Sequence, residues 1–79
     1  MRYAPQEDLM RRPKVGDIWR FSGWGKDFYY LVAEYTEDDP KYYDADTVML
    51  VAPTRGDAPL SKEGVSKIAA DSRRWTFIA

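Results

Sequence analysis

Carboxylates are the residue type most able to do chemistry in this chain. Glu34, Glu37, Asp38, Asp39, Asp44 and Asp46 fall within thirteen positions, opposed there by Lys41 alone. Paired carboxylates can serve as acid and base on a glycosidic bond, and clustered ones can hold Ca2+ or Mg2+. A calcium loop of the EF-hand type, however, alternates its ligands, turns on a central glycine and ends on a bidentate glutamate. Residues 34–46 have no glycine and none of that order. They read as a solvated acidic loop, with divalent-cation binding as the remaining alternative.

Other routes to catalysis are closed by composition. The chain has no histidine and no cysteine, so it lacks the commonest general base, the strongest thiol nucleophile and the usual transition-metal ligands. Ser22, Ser61, Ser66 and Ser72 have no histidine to activate them. Gly23-Trp24-Gly25-Lys26 resembles a phosphate-cradling loop only in its glycines. It lacks the full spacing and leads into a strand where such a loop opens a helix. No catalytic, cofactor-binding or metal-ligating residue is therefore assigned, and the expectation is a protein that is not an enzyme and carries no cofactor.

The elements that position these residues are mostly strands. In Val15-Gly16-Asp17-Ile18-Trp19-Arg20-Phe21, Val15, Trp19 and Phe21 share one face by even spacing. Gly23 and Gly25 allow a tight turn, and a second strand over residues 28–37 completes a hairpin. There Phe28, Tyr30 and Val32 face one way, and Tyr29, Leu31, Ala33 and Tyr35 the other. An acidic connection over 37–46, a third strand over 47–52 and a loop over 53–59 follow. Residues 60–71 fit two readings. Ser61 could cap a helix carrying Val65, Ile68 and Ala69 on one face with Gly64 inside it, or residues 65–69 could form a short strand, the slightly favoured choice. Residues 74–78 read as a last strand, with Trp19 and Trp75 in the core.

Seventy-nine residues support one domain: an arm over residues 1–13, then a single small β domain over 14–79. Apolar residues form 44% of the chain, too many for a disordered protein. The absence of cysteine, of an apolar leader and of a span of about 18 apolar residues points to a soluble cytoplasmic protein. The fold expected is mainly β, a small barrel or roll of four or five short antiparallel strands, with one short helix near 61–71 as the variant. Its opening Val15-Gly16-Asp17-Ile18, tyrosine-rich second strand, Val48-Met49-Leu50-Val51 and Trp75 in the last strand together resemble SH3-like barrels in strand order and length. The tyrosine and tryptophan motifs of peptide-binding SH3 domains are absent, so no ligand residues carry over from that resemblance.

Function is then a matter of surface. Residues 34–46 carry a net charge of −5 in a chain whose total is −1. Positive charge gathers instead near both ends, at Arg2, Arg11, Arg12 and Lys14 and at Lys62, Lys67, Arg73 and Arg74. Trp24 in its glycine turn and Tyr42 and Tyr43 in the acidic connection lie outside the strand pattern, where aromatics make good interface anchors. The reading that follows is a protein-binding or regulatory module, of the inhibitory kind met in bacteria and their phages. It would engage a basic protein through Trp24, Glu37, Asp38, Asp39, Tyr42, Tyr43, Asp44 and Asp46, steered by charge. Two alternatives stand beside it: a small barrel binding nucleic acid through its basic ends and exposed aromatics, and a structural subunit. In the latter, a spare apolar face on residues 28–33 and 48–52 would complete a homo-oligomer or a larger assembly. No membrane partner is expected.

Overall fold

Alternating large apolar residues build the first strand, β1 (Ile18–Gly23), in which Trp19 and Phe21 point into the core. The computed structural model describes residues 11–52 and 60–79. Most of the expected arm, and the expected loop over 53–59, lie outside the described residues. The other strands are β2 (Lys26–Asp39), β3 (Ala45–Val51), β4 (Lys62–Gly64) and β5 (Trp75–Phe77). All pair antiparallel in the order β4-β3-β2-β1-β5, so the last strand returns beside the first. The fold is mainly β as expected, and among the described residues the sheet does not close: β4 and β5 are its two edges. Among the described residues no helix is long and apolar enough to cross a membrane.

Val15 is not part of the first strand. It sits in a turn closed by a hydrogen bond from the Asp17 N–H to the Lys14 carbonyl (3.0 Å), and its side chain is exposed. Gly16 adopts φ +95° there, the left-handed position that such a turn reserves for glycine. Asp17 is buried and fastens this lead-in, accepting from Arg11 Nη2 (3.2 Å), the Lys14 N–H (2.9 Å) and Trp19 Nε1 (3.2 Å). The Arg11 guanidinium lies 3.7 Å over the Phe77 ring and Pro13 is fully buried, so residues 11–13 pack on the domain.

β2 runs 14 residues, longer at both ends than its apolar stretch suggested, because its edges pair even where they are charged. Tyr30 and Val32 are buried beside Phe28, while Tyr29 and Leu31 face out. Tyr35 departs from simple alternation. Val32 pairs with Leu50 but Glu34 with Met49, leaving Ala33 as an extra residue. That bulge moves Tyr35 from the face of Tyr29 and Leu31 to the core face, opposite Val48.

Of the two readings of residues 60–71 the helix holds, and the slightly favoured strand over 65–69 is corrected, because Val65, Ile68 and Ala69 turn one face to the core at helical spacing. Lys62–Gly64 is strand β4, and Val65–Ala70 is a helix, α1. Gly64 is the extended residue before the helix rather than one inside it, and Ser61 does not cap it. Val65, Ile68 and Ala69 form the buried face. Six residues cannot hold a helix alone, so α1 depends on seating these side chains over the inner face of the sheet. There they join Trp19, Phe21, Tyr30, Val32, Val48, Leu50 and Trp75. Burying one such side chain contributes about 1.5–3 kcal/mol. On the opposite face, Tyr29, Leu31, Met49 and Val51 remain substantially exposed.

Candidate functional site

β2 separates the expected site residues. Trp24 precedes its first residue and the acidic connection follows its last, some ~40 Å apart along the strand. The eight residues read from the sequence as one contact surface therefore occupy two.

At the acidic end a second bulge lies between Thr36 and Asp39, with Asp38 at φ +51°. It turns Asp39 inward, so that Asp38 is exposed and its neighbour is 3% exposed. Asp39 then organises the connection. Its Oδ1 accepts from the Lys41 N–H (3.0 Å), capping a 3-10 turn over Pro40–Tyr42. Its Oδ2 accepts from Lys62 Nζ (2.7 Å) and from Thr47 Oγ1 (2.9 Å), and its carbonyl accepts from the Asp44 N–H (2.9 Å). The Lys62 ammonium, then the Thr47 hydroxyl, lower the Asp39 carboxyl to a pKa of about 2. The same bond to Asp39 raises the pKa of Lys62. Lys62 Nζ also lies 5.3 Å from the Tyr42 ring centroid, which makes Tyr42 part of the brace.

Asp46 is engaged as well. It accepts from Tyr35 Oη (2.6 Å) and from the Asp38 N–H (3.0 Å), and Arg12 Nη2 stands 3.9 Å away. The Tyr35 hydroxyl is the main reason its carboxyl is lowered, and the same bond raises the Tyr35 phenol. The basic residues near both chain ends thus fold back onto part of the acidic segment, reducing the charge separation read from the sequence. What stays outside is Glu37, Asp38, Asp44 and Tyr43. Tyr43 is 98% exposed and, like Asp44, takes a left-handed φ, at +58° and +62°. Among the described residues no three carboxylates gather into a metal-holding set.

At the other end, Gly23 pairs with Lys26 around Trp24 (φ +53°) and Gly25 (φ +73°), the two positive angles of a type I′ hairpin turn. A Cβ on Gly23 would come within 2.8 Å of the Phe21 ring, which accounts for glycine there. Trp24 is 70% exposed, with ring centroids 5.6 Å from Phe21 and 6.5 Å from Phe28 supporting it from below. Beside it the segment from α1 to β5 brings Lys67, Asp71, Arg73 and Arg74 around two adjoining hollows of about 590 and 240 Å³. The sequence marks these cations as a basic cluster but holds nothing that places them against Trp24, some fifty positions away.

No protein-family model, no curated protein and no solved structure matches the chain.

Proposed function

We propose that the chain is a non-enzymatic protein-binding or regulatory module that engages a basic partner through the turn bearing Tyr43. The observation that carries this reading is Tyr43 itself. An almost wholly exposed aromatic is held in a left-handed backbone that costs a non-glycine residue about 1–2 kcal/mol. Asp39 and Asp46 lock the backbone around it, and Glu37, Asp38 and Asp44, within six positions of it in the chain, are exposed. Such strain is tolerated where the surroundings impose it, and it clusters at binding sites. A rigid tyrosine gives contact area at low entropic cost, and the carboxylates steer a basic partner toward it. The return of β5 beside β1 supports an SH3-like identity for the fold, and a cysteine-free chain suits the cytoplasm. An inhibitory role in a bacterium or its phage is the form of regulation this reading favours.

The test is capture from host lysate with the wild type beside Glu37→Gln/Asp38→Asn/Asp44→Asn and Tyr43→Ala. All three keep Asp39 and Asp46. A basic protein whose association slows about tenfold with the charge variant, and whose hold weakens with Tyr43→Ala, supports the proposal. An identical captured set from all three at low salt refutes it.

The structural-subunit reading has one observation of its own, the outer stripe of Tyr29, Leu31, Met49 and Val51. A sedimentation mass that stays monomeric with concentration removes its homo-oligomeric form.

A further inference from the structure

We infer that the Trp24 end of the sheet is a binding site for single-stranded nucleic acid, with a base stacked on Trp24 and phosphate held by Arg73 and Arg74. This site is at the opposite end of β2 from the Tyr43 turn, and neither depends on the other.

Trp24 has what a stacking platform needs. The residue is 70% exposed, yet the two-residue turn fixes its backbone and Phe21 and Phe28 support its ring. Every base has a flat π-face, so a fixed, exposed indole can take any of them. Arg74 lines both hollows beside Trp24, Arg73 the larger and Lys67 the smaller. All three side chains are exposed. Among the described residues none of them is held in an ion pair, whereas Arg11, Arg12 and Lys62 are. Cations on a concave surface, without an ion-pair partner among the described residues, are placed for an external anion, and guanidinium groups match phosphate oxygens in pairs.

The acids of the hollow narrow the choice of anion. Glu63 turns its carboxylate to the Gly64 N–H (2.9 Å). Asp71 lines both hollows together with Trp24 and Arg74. A carboxylate there accepts a hydrogen bond from the exocyclic amine of a base, cytosine N4 among them, a donor that an acidic peptide side chain does not offer. A ligand that presents a flat ring, an amine donor and a phosphate within one repeat fits all three groups. A duplex does not, because its bases are stacked inside.

The experiment is a titration of the full chain into fluorescein-labelled oligodeoxycytidine and oligocytidine 12-mers at 20 and 150 mM salt. Anisotropy and tryptophan emission are followed together. Trp19 and Trp75 are buried at 3% and 5% exposure, so quenching reports chiefly on Trp24. The expected result is salt-sensitive binding with quenched emission, similar for the two oligomers because none of the three contacts reads a 2′-hydroxyl. Trp24→Ala should weaken it about tenfold and Trp24→Phe only about threefold. Arg73→Ser/Arg74→Ser should lower the slope of log affinity against log salt by about 1.4. Melting curves separate lost binding from lost folding, and Trp24→Phe provides a second variant should Trp24→Ala not fold. The inference is overturned by no anisotropy change at 20 mM salt, or by binding that a folded Trp24→Ala leaves intact. Equal binding of a 12-base-pair duplex, or equal competition by an octaglutamate peptide, overturns it too.

Discussion

Each end of β2 holds one exposed aromatic in a left-handed backbone, Trp24 at φ +53° and Tyr43 at φ +58°, but the two are supported differently. Under Trp24 the support is apolar: a two-residue turn closed by strand pairing, with Phe21 and Phe28 below the ring. Around Tyr43 it is ionic and polar. The connection from Asp39 to Ala45 is held by two carboxylates that collect Lys62, Thr47, Tyr35, Arg12 and backbone N–H groups. An aromatic can thus be presented rigidly by packing or by charge. The two solutions differ in what disturbs them: loss of apolar contact at one end, loss of ionisation at the other.

The largest expected effect tests the ionic brace. Asp39→Ala strips the cap from the 3-10 turn and leaves Lys62 and Thr47 without their shared acceptor. Its melting temperature should fall on the order of 10 °C by circular dichroism. A fall under about 2 °C would show that the turn holds without its carboxylate.

Acid should act on the same group. Asp39 has its pKa lowered from 3.8 to about 2, so its stabilising contribution is present above 3.8 and is lost as pH falls through about 2. The melting-temperature gap between wild type and Asp39→Asn should therefore shrink across that window. A gap independent of pH would mean that the carboxylate's charge is not what braces the turn.

Trp24→Ala probes the apolar end. It removes the two ring contacts of a mostly exposed side chain, a loss of about 1 kcal/mol that lowers the melting temperature by about 4–8 °C. The loss should be the same at pH 3 and pH 7, in contrast to that of Asp39. A larger, Asp39-like loss would make Trp24 a core residue despite its exposure.

Tyr43→Gly should change stability least, by under about 0.5 kcal/mol. Relief of the left-handed strain and the added freedom of glycine in the unfolded chain nearly cancel. A clear loss of stability would mean that Tyr43 packs against something it is not seen to touch.

The core was readable from spacing wherever the ladder is regular. Trp19 and Phe21, Tyr30 and Val32, Val48 and Leu50 each follow the two-residue period of a strand. It was unreadable where a bulge intervenes, because Ala33 is an ordinary strand residue and nothing marks it as the one that is skipped. The placement of the acidic residues was unreadable for the same reason. Asp38 and Asp39 are adjacent and alike, and only the second bulge decides which is buried. A local signal did exist: Asp39-Pro40 is a capping aspartate followed by proline at the first turn, a helix-start signature that singles out Asp39 for a structural role. Its partner Lys62, 23 positions away, leaves no such trace. Residues 65–69 divided between helix and strand because so short an apolar run fits either period, and the strand that does form, Lys62–Gly64, has no apolar side chain to announce it.

The bulge at Ala33 also sets where this chain tolerates a change of length. Losing one residue elsewhere in a strand reverses every following side chain between core and solvent. Without Ala33, Val32 would still meet Leu50, Glu34 would still meet Met49 and Tyr35 would still meet Val48, now in an unbroken ladder. A single-codon deletion at that position leaves the frame of both faces intact, so β2 carries one spare residue through which its twist, and with it the relative aim of its two ends, is open to evolutionary adjustment.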